Sequence, residues 1–148
     1  MDKTKAQEIL NHQLDGIMFH SDMVDLAIAL KKTRMARQQK RQLLEEMQSH
    51  IRTKELIYTA TGELLQANPA GNKKILPSIP KTMPDSELAC RPIVKESLDA
   101  WKRWELSTVE LYECAAKEDT CKWWKIMLRA ARSELEKVTK ELRHIERR

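Results

Sequence analysis

The sequence predicts an all-α protein, a four-helix bundle in which a long irregular crossover joins the second helix to the third. Three observations carry this. All five prolines fall between Pro69 and Pro92, so none interrupts residues 1–68 or 93–148. Apolar residues recur at three- and four-residue steps through both halves of the chain, the period of a helix with one buried face. The three glycines, Gly16, Gly62 and Gly71, are too few and too scattered for the tight turns of a sandwich or barrel. At 148 residues the chain makes one ordinary domain, long enough to bury roughly 68–70% of the surface its unfolded form exposes.

Helix α1 is expected over about residues 4–30, where Leu10, Leu14, Ile17, Ser21, Val24 and Ile28 make one apolar face. A second stripe on the same helix, Glu8, His12, Asp15 and Asp22 with Phe19 and Leu26 between them, either faces the bundle interior or is solvated. Helix α2 is expected over about 33–60, with Leu44, Met47, Ile51 and Tyr58 on its inner side and Gly62 placed as a left-handed terminating residue. Lys31-Lys32-Thr33-Arg34 contains neither Gly nor Pro, so the sequence leaves open whether α1 and α2 are separate or continuous. The crossover spans about 66–85, and its residues before proline are pushed to extended conformations. Asp85-Ser86-Glu87 signals the start of helix α3, about 86–117. Val94, Leu98, Trp101, Glu105, Thr108, Tyr112 and Ala115 then alternate in steps of four and three. Asp119-Thr120 is placed to cap helix α4, about 120–147, whose stripe is Trp124, Leu128, Ala131, Leu135, Val138, Leu142 and Ile145. Two such stripes joined by a short turn predict an antiparallel pair, and residues 1–148 read as one helical-bundle domain.

Several functions are excluded outright. Scattered glycines rule out a P-loop or a dinucleotide fingerprint, and no zinc motif or nucleophile elbow is present; no catalytic residue is assigned. The apolar runs are only a few residues long, so no membrane partner is expected. No apolar segment follows Met1-Asp2-Lys3-Thr4-Lys5, and the three cysteines, Cys90, Cys114 and Cys121, lack metal-ligand spacing, which together point to a reducing, cytoplasmic setting. Glu105 holds the most informative position, because its heptad neighbours Leu98, Trp101, Thr108 and Tyr112 turn it inward. A buried carboxylate is costly unless paired, hydrogen-bonded or bound to metal. A hydrogen bond to a Tyr, Thr, His or Trp side chain satisfies it, and so does a metal. Glu134, on the flank of the α4 stripe, either meets Glu105 across the helix pair or pairs with Lys137 or Arg129 at the edge. Glu46 and His50 are i,i+4 neighbours, so both reach one point. His20 and His144 stand alone and are expected at the surface.

From Trp104-Glu105 through Thr108, Leu111 and Tyr112 to Ser133-Glu134-Leu135-Glu136, the second half resembles the third and fourth helices of ferritin-like proteins. Leu10-Asn11-His12-Gln13-Leu14 is similar to the start of a ferritin-like first helix. The likeness extends to the small, divergent ferritin-like bundles carried by phages and other mobile elements of gut bacteria. It implies a bundle with the long second-to-third crossover and casts Glu105 and Glu134 as ligands of a di-iron centre. Glu46 and His50 join them only if the family's Glu-x-x-His spacing is loosened. Ile17 stands where the first helix's ligand would be, so the resemblance implies a degraded site.

The net charge is +5, and its distribution says more than the total. Lys31, Lys32, Arg34, Arg37, Lys40 and Arg41 fall within eleven residues that hold no acid. Like charges this dense gain from an anionic partner, an acidic protein surface or a nucleic acid. No aromatic residue interleaves with them, so a stacking platform for single strands is not expected. Arg143, Arg147 and Arg148 simply suit a helix C-terminus. Two functions follow. The first is a non-catalytic binding or accessory protein that engages its partner through this basic corner or through Trp123, with no cofactor. The second is a metalloprotein with a reduced iron or manganese site. A homo-oligomer is compatible with both.

Overall fold

The computed structural model describes residues 2–68, 82 and 85–147, and among them the protein is all-helical, with four helices and no strand. They are α1 (Lys3–Ala29), α2 (Thr33–Thr61), α3 (Glu87–Glu118) and α4 (Lys122–Glu146). Most of the expected crossover, including Pro69, Pro77, Pro80 and Pro84, lies outside the described residues. The chain divides into two compact units, Met1–Lys74 and Ile75–Arg148, each built on a helical hairpin.

In the first unit α1 and α2 are separate. Lys31, at φ 58°, breaks the helix. Its amide donates to Ile28 O at 3.0 Å and that of Lys32 reaches back to Ala27 O at 2.9 Å, the paired bonds of a Schellman ending. The motif usually places Gly at the left-handed position; here a lysine holds it. Asp2 caps α1 by accepting from the Lys5 amide at 2.7 Å. Gly62, at φ 73°, ends α2 as expected, and its amide donates to Tyr58 O at 2.8 Å. The chain then doubles back over the start of α1. Gln7 Nε2 donates to Gln66 O at 2.7 Å, the Asn68 amide donates to Asn11 Oδ1 at 2.7 Å, and Lys3 pairs with Glu63 at 2.7 Å. Leu65 and Ala67 pack on the cluster of Ala6, Leu10 and Ile57.

Two helix faces differ from expectation. In α1 the buried line is Ala6, Ile9, Leu10, Gln13, Gly16, Phe19, His20, Met23, Leu26 and Ala27, while Ser21 and Ile28 are exposed. The helix offers two overlapping apolar faces, and the one holding the larger side chains Phe19, Met23 and Leu26 is buried. In α2 the expected inner residues Leu44, Met47, Ile51 and Tyr58 are all exposed. The buried residues are Gln39, Gln42, His50, Thr53 and Ile57. The reason is polar pairing: Gln13 and His20 lie inside α1, a buried polar group must be hydrogen-bonded, and the opposite face of α2 carries their partners.

The second unit follows its stripes. Leu98, Trp101, Glu105, Thr108, Tyr112 and Ala115 are buried in α3, as are Trp124, Ala131, Val138 and Leu142 in α4. Ser86 caps α3 by accepting from the Ala89 amide at 3.1 Å. Pro92 lies inside α3; it withholds an amide from Leu88, in an exposed first turn where water can serve that carbonyl. Asp119 does not cap α4. It ends α3, its amide donating to Ala115 O at 3.0 Å, and its carboxylate accepts from the Cys121 amide at 2.9 Å, which holds the turn. Across the hairpin Tyr112 and Trp124 meet with tilted rings at 6.3 Å between centroids, and Arg132 pairs with Glu113 at 3.1 Å.

Candidate functional site

Seven-residue steps place Ala6, Gln13, His20 and Ala27 on one line of α1 and Gln39, Glu46 and Thr53 on one line of α2. In the antiparallel hairpin these lines oppose each other, and their polar members meet. His50 Nδ1 lies 2.9 Å from Gln13 Oε1, Gln13 Nε2 donates to Thr53 Oγ1 at 3.0 Å, and Thr53 Oγ1 donates to Ser49 O at 2.8 Å. Gln13 Oε1 is an amide oxygen and only accepts, so the proton of His50 sits on Nδ1. Two helical turns further along α1, His20 Nδ1 lies 2.8 Å from Gln39 Oε1. An amide oxygen only accepts, so His20 also carries its proton on Nδ1 and keeps its lone pair on Nε2. A ring nitrogen of His20 and a carboxylate oxygen of Glu46 lie within 4.8 Å of each other.

The electrostatics of this interior favour neutral rings. Burial pushes His20 down to about 4, against the opposing effect of its bond to Gln39. Burial, and then the charge of Lys54, pushes His50 down to about 4. On the flank of α1, desolvation raises the carboxyl of Asp15, whose Oδ1 is buried with no hydrogen-bond partner among the described residues.

His20 was expected at the surface and is instead fully buried, because its helix line is shared with Gln13 and Ala27. His144 is exposed. Glu105 is 1% exposed and accepts from Trp101 Nε1 at 3.3 Å, a Trp side chain one turn back on its own helix. Glu134 pairs with Lys137 at 3.1 Å. Glu46 is half-buried and approaches His20, while His50 turns its Nδ1 to Gln13. The sequence reading missed two buried polar groups, Gln13 with Thr53 and His20 with Gln39. Their seven-residue spacing was the available signal.

The basic corner is a second locus. Lys31, Arg34, Arg37, Lys40 and Arg41 are exposed and Lys32 is half-buried. Arg34, Arg37 and Arg41, spaced three and four apart, share one outer face of α2. Among the described residues no carboxylate pairs with Lys31, Arg34, Arg37, Lys40 or Arg41. Trp123 is half-buried. None of the three cysteines is in a disulfide, and among the described residues no helix is long and apolar enough to cross a membrane. No protein-family model, curated protein or solved structure matches the chain.

Proposed function

We propose that this is a non-catalytic binding protein, on a helical bundle of ferritin-like connectivity, that engages an anionic partner through Lys31, Lys32, Arg34, Arg37, Lys40 and Arg41. One observation carries the reading: five of these six cations are exposed with no carboxylate beside them among the described residues. An unneutralised cluster of this density concentrates field at the helix corner. Titrations with duplex DNA and with polyglutamate distinguish a nucleic acid from an acidic protein surface. Binding weakens steeply with salt, because each neutralised phosphate releases counterions. The triple variant Arg34→Glu, Arg37→Glu, Arg41→Glu loses binding while keeping its helix content. Unchanged binding by that variant refutes the proposal.

A second reading, a site for iron or manganese, is favoured by the approach of Glu46 to His20. An imidazole whose Nδ1 proton is held by Gln39 presents Nε2 as a ligand, the arrangement seen when an outer hydrogen bond orients a metal-binding histidine. Metal analysis of untagged protein tests it. Stoichiometric iron or manganese that is lost in both His20→Gln and Glu46→Gln supports the metal reading over the first; its absence from the wild type removes it.

A further inference from the structure

Charge density separates the partners that the basic corner could take. Thr33 to Arg41 spans about 12 Å of α2. Within that length Arg34, Arg37, Lys40 and Arg41 fall in an arc of about 120°, on the face turned away from the buried Gln39 and Gln42. Lys31 and Lys32, just before the helix, bring the cations to six. The helix has no side-chain cap and no acid in its first turn, so the positive end of its dipole adds to them. Resting on the anionic-partner reading above, we infer that the partner is a nucleic-acid duplex, held by the phosphates of both strands without readout of its bases.

A duplex carries one negative charge per roughly 1.7 Å of axis, about seven over the length of the run. The other candidates are sparser. One face of an acidic helix presents a carboxylate every three or four residues, about two or three over the same length. A single strand has half the charge of the duplex, and strands bound without sequence preference rest on aromatic platforms, of which the run has none. Protein partners depend on apolar or aromatic anchors, whereas the exposed residues of the run are Lys31, Thr33, Arg34, Arg37, Lys40 and Arg41. Lysine and arginine only donate, which suits phosphate oxygens. The glutamines that could read adenine edges are turned away: Gln39 and Gln42 are buried and Gln38 is half-buried. Contacts to phosphate fix position and carry no sequence information.

Fluorescence anisotropy of the full chain at about 50 mM salt tests the assignment. The probes are duplexes of about 20 base pairs (an A·T-rich DNA, a G·C-rich DNA and an RNA), a thymidine single strand of the same length, and polyglutamate of about 40 residues to match the duplex charge. The three duplexes are expected to bind within about threefold of one another, and the single strand and polyglutamate at least about tenfold more weakly. Arg37→Gln with Arg41→Gln is expected to lower duplex affinity at least about tenfold. Lys125→Gln with Arg129→Gln, an equal loss of charge at exposed positions of α4, is expected to change it less than about twofold. A larger preference among the duplexes, or a single strand or polyglutamate bound as tightly as duplex, overturns the assignment and leaves the anionic-partner reading standing. Equal losses in the two double variants, or no binding to any probe, remove both.

Discussion

Two imidazoles enclosed in one hairpin tie stability to pH. The folded values of His20 and His50 lie near 4, below the ordinary 6.5 that they recover on unfolding. Between those values the unfolded chain binds more protons than the folded one, so stability is full above pH 6.5 and falls as the pH drops towards 4. For His20 alone the loss between pH 7 and pH 5 is about 2 kcal/mol. Urea midpoints at the two pH values measure it, and His20→Gln, whose amide can still donate to Gln39, is expected to flatten the dependence by a comparable amount. Two backbone positions make a second prediction, with opposite signs. Lys31 sits at φ 58° in a Schellman ending, so Lys31→Gly relieves a left-handed side chain and stabilises by about 1 kcal/mol. Gly62 sits at φ 73° with nothing within 4 Å of an added Cβ. Gly62→Ala therefore costs about 1 kcal/mol from backbone strain alone, and thermal melts of the two variants move in opposite directions.

At the scale of the element, α3 shows what a regular stripe can specify. Its heptad turned Glu105 inward, and the side chain accepts a hydrogen bond from Trp101, four residues back. Glu105→Gln keeps that acceptor, so it is expected to change the unfolding free energy by less than about 1 kcal/mol in a urea titration. The four helices were legible in the sequence because proline placement and apolar period both act locally. Which side of α2 faces α1 was not. Leu44, Met47, Ile51 and Tyr58 are the strongest apolar signal in that helix, and a single-helix reading ranks faces by apolarity. The buried face was decided by a demand set in another helix, the need of Gln13 and His20 for hydrogen-bond partners. The candidate site was obscured for the same reason. Thr53 serves Gln13 across forty residues of sequence, and neither position is informative alone. The turn between α1 and α2 was hidden because its left-handed residue is a lysine, where sequence signals look for glycine.

At the scale of the whole molecule, the net charge of +5 is unevenly spread, with six cations in the eleven residues 31–41, which hold no acid. A polyanion that meets them releases its counterions, so affinity falls as salt rises, with a slope that counts the contacts. With each of the five exposed cations meeting one phosphate, the slope of log affinity against log salt for a short duplex is expected to be about −4 to −5. Lys40→Ala removes one contact and is expected to reduce the slope by about 1, while the triple variant Arg34→Glu, Arg37→Glu, Arg41→Glu loses binding. Binding that is indifferent to salt, or a slope unchanged in Lys40→Ala, separates the affinity from this corner and removes the anion-binding reading.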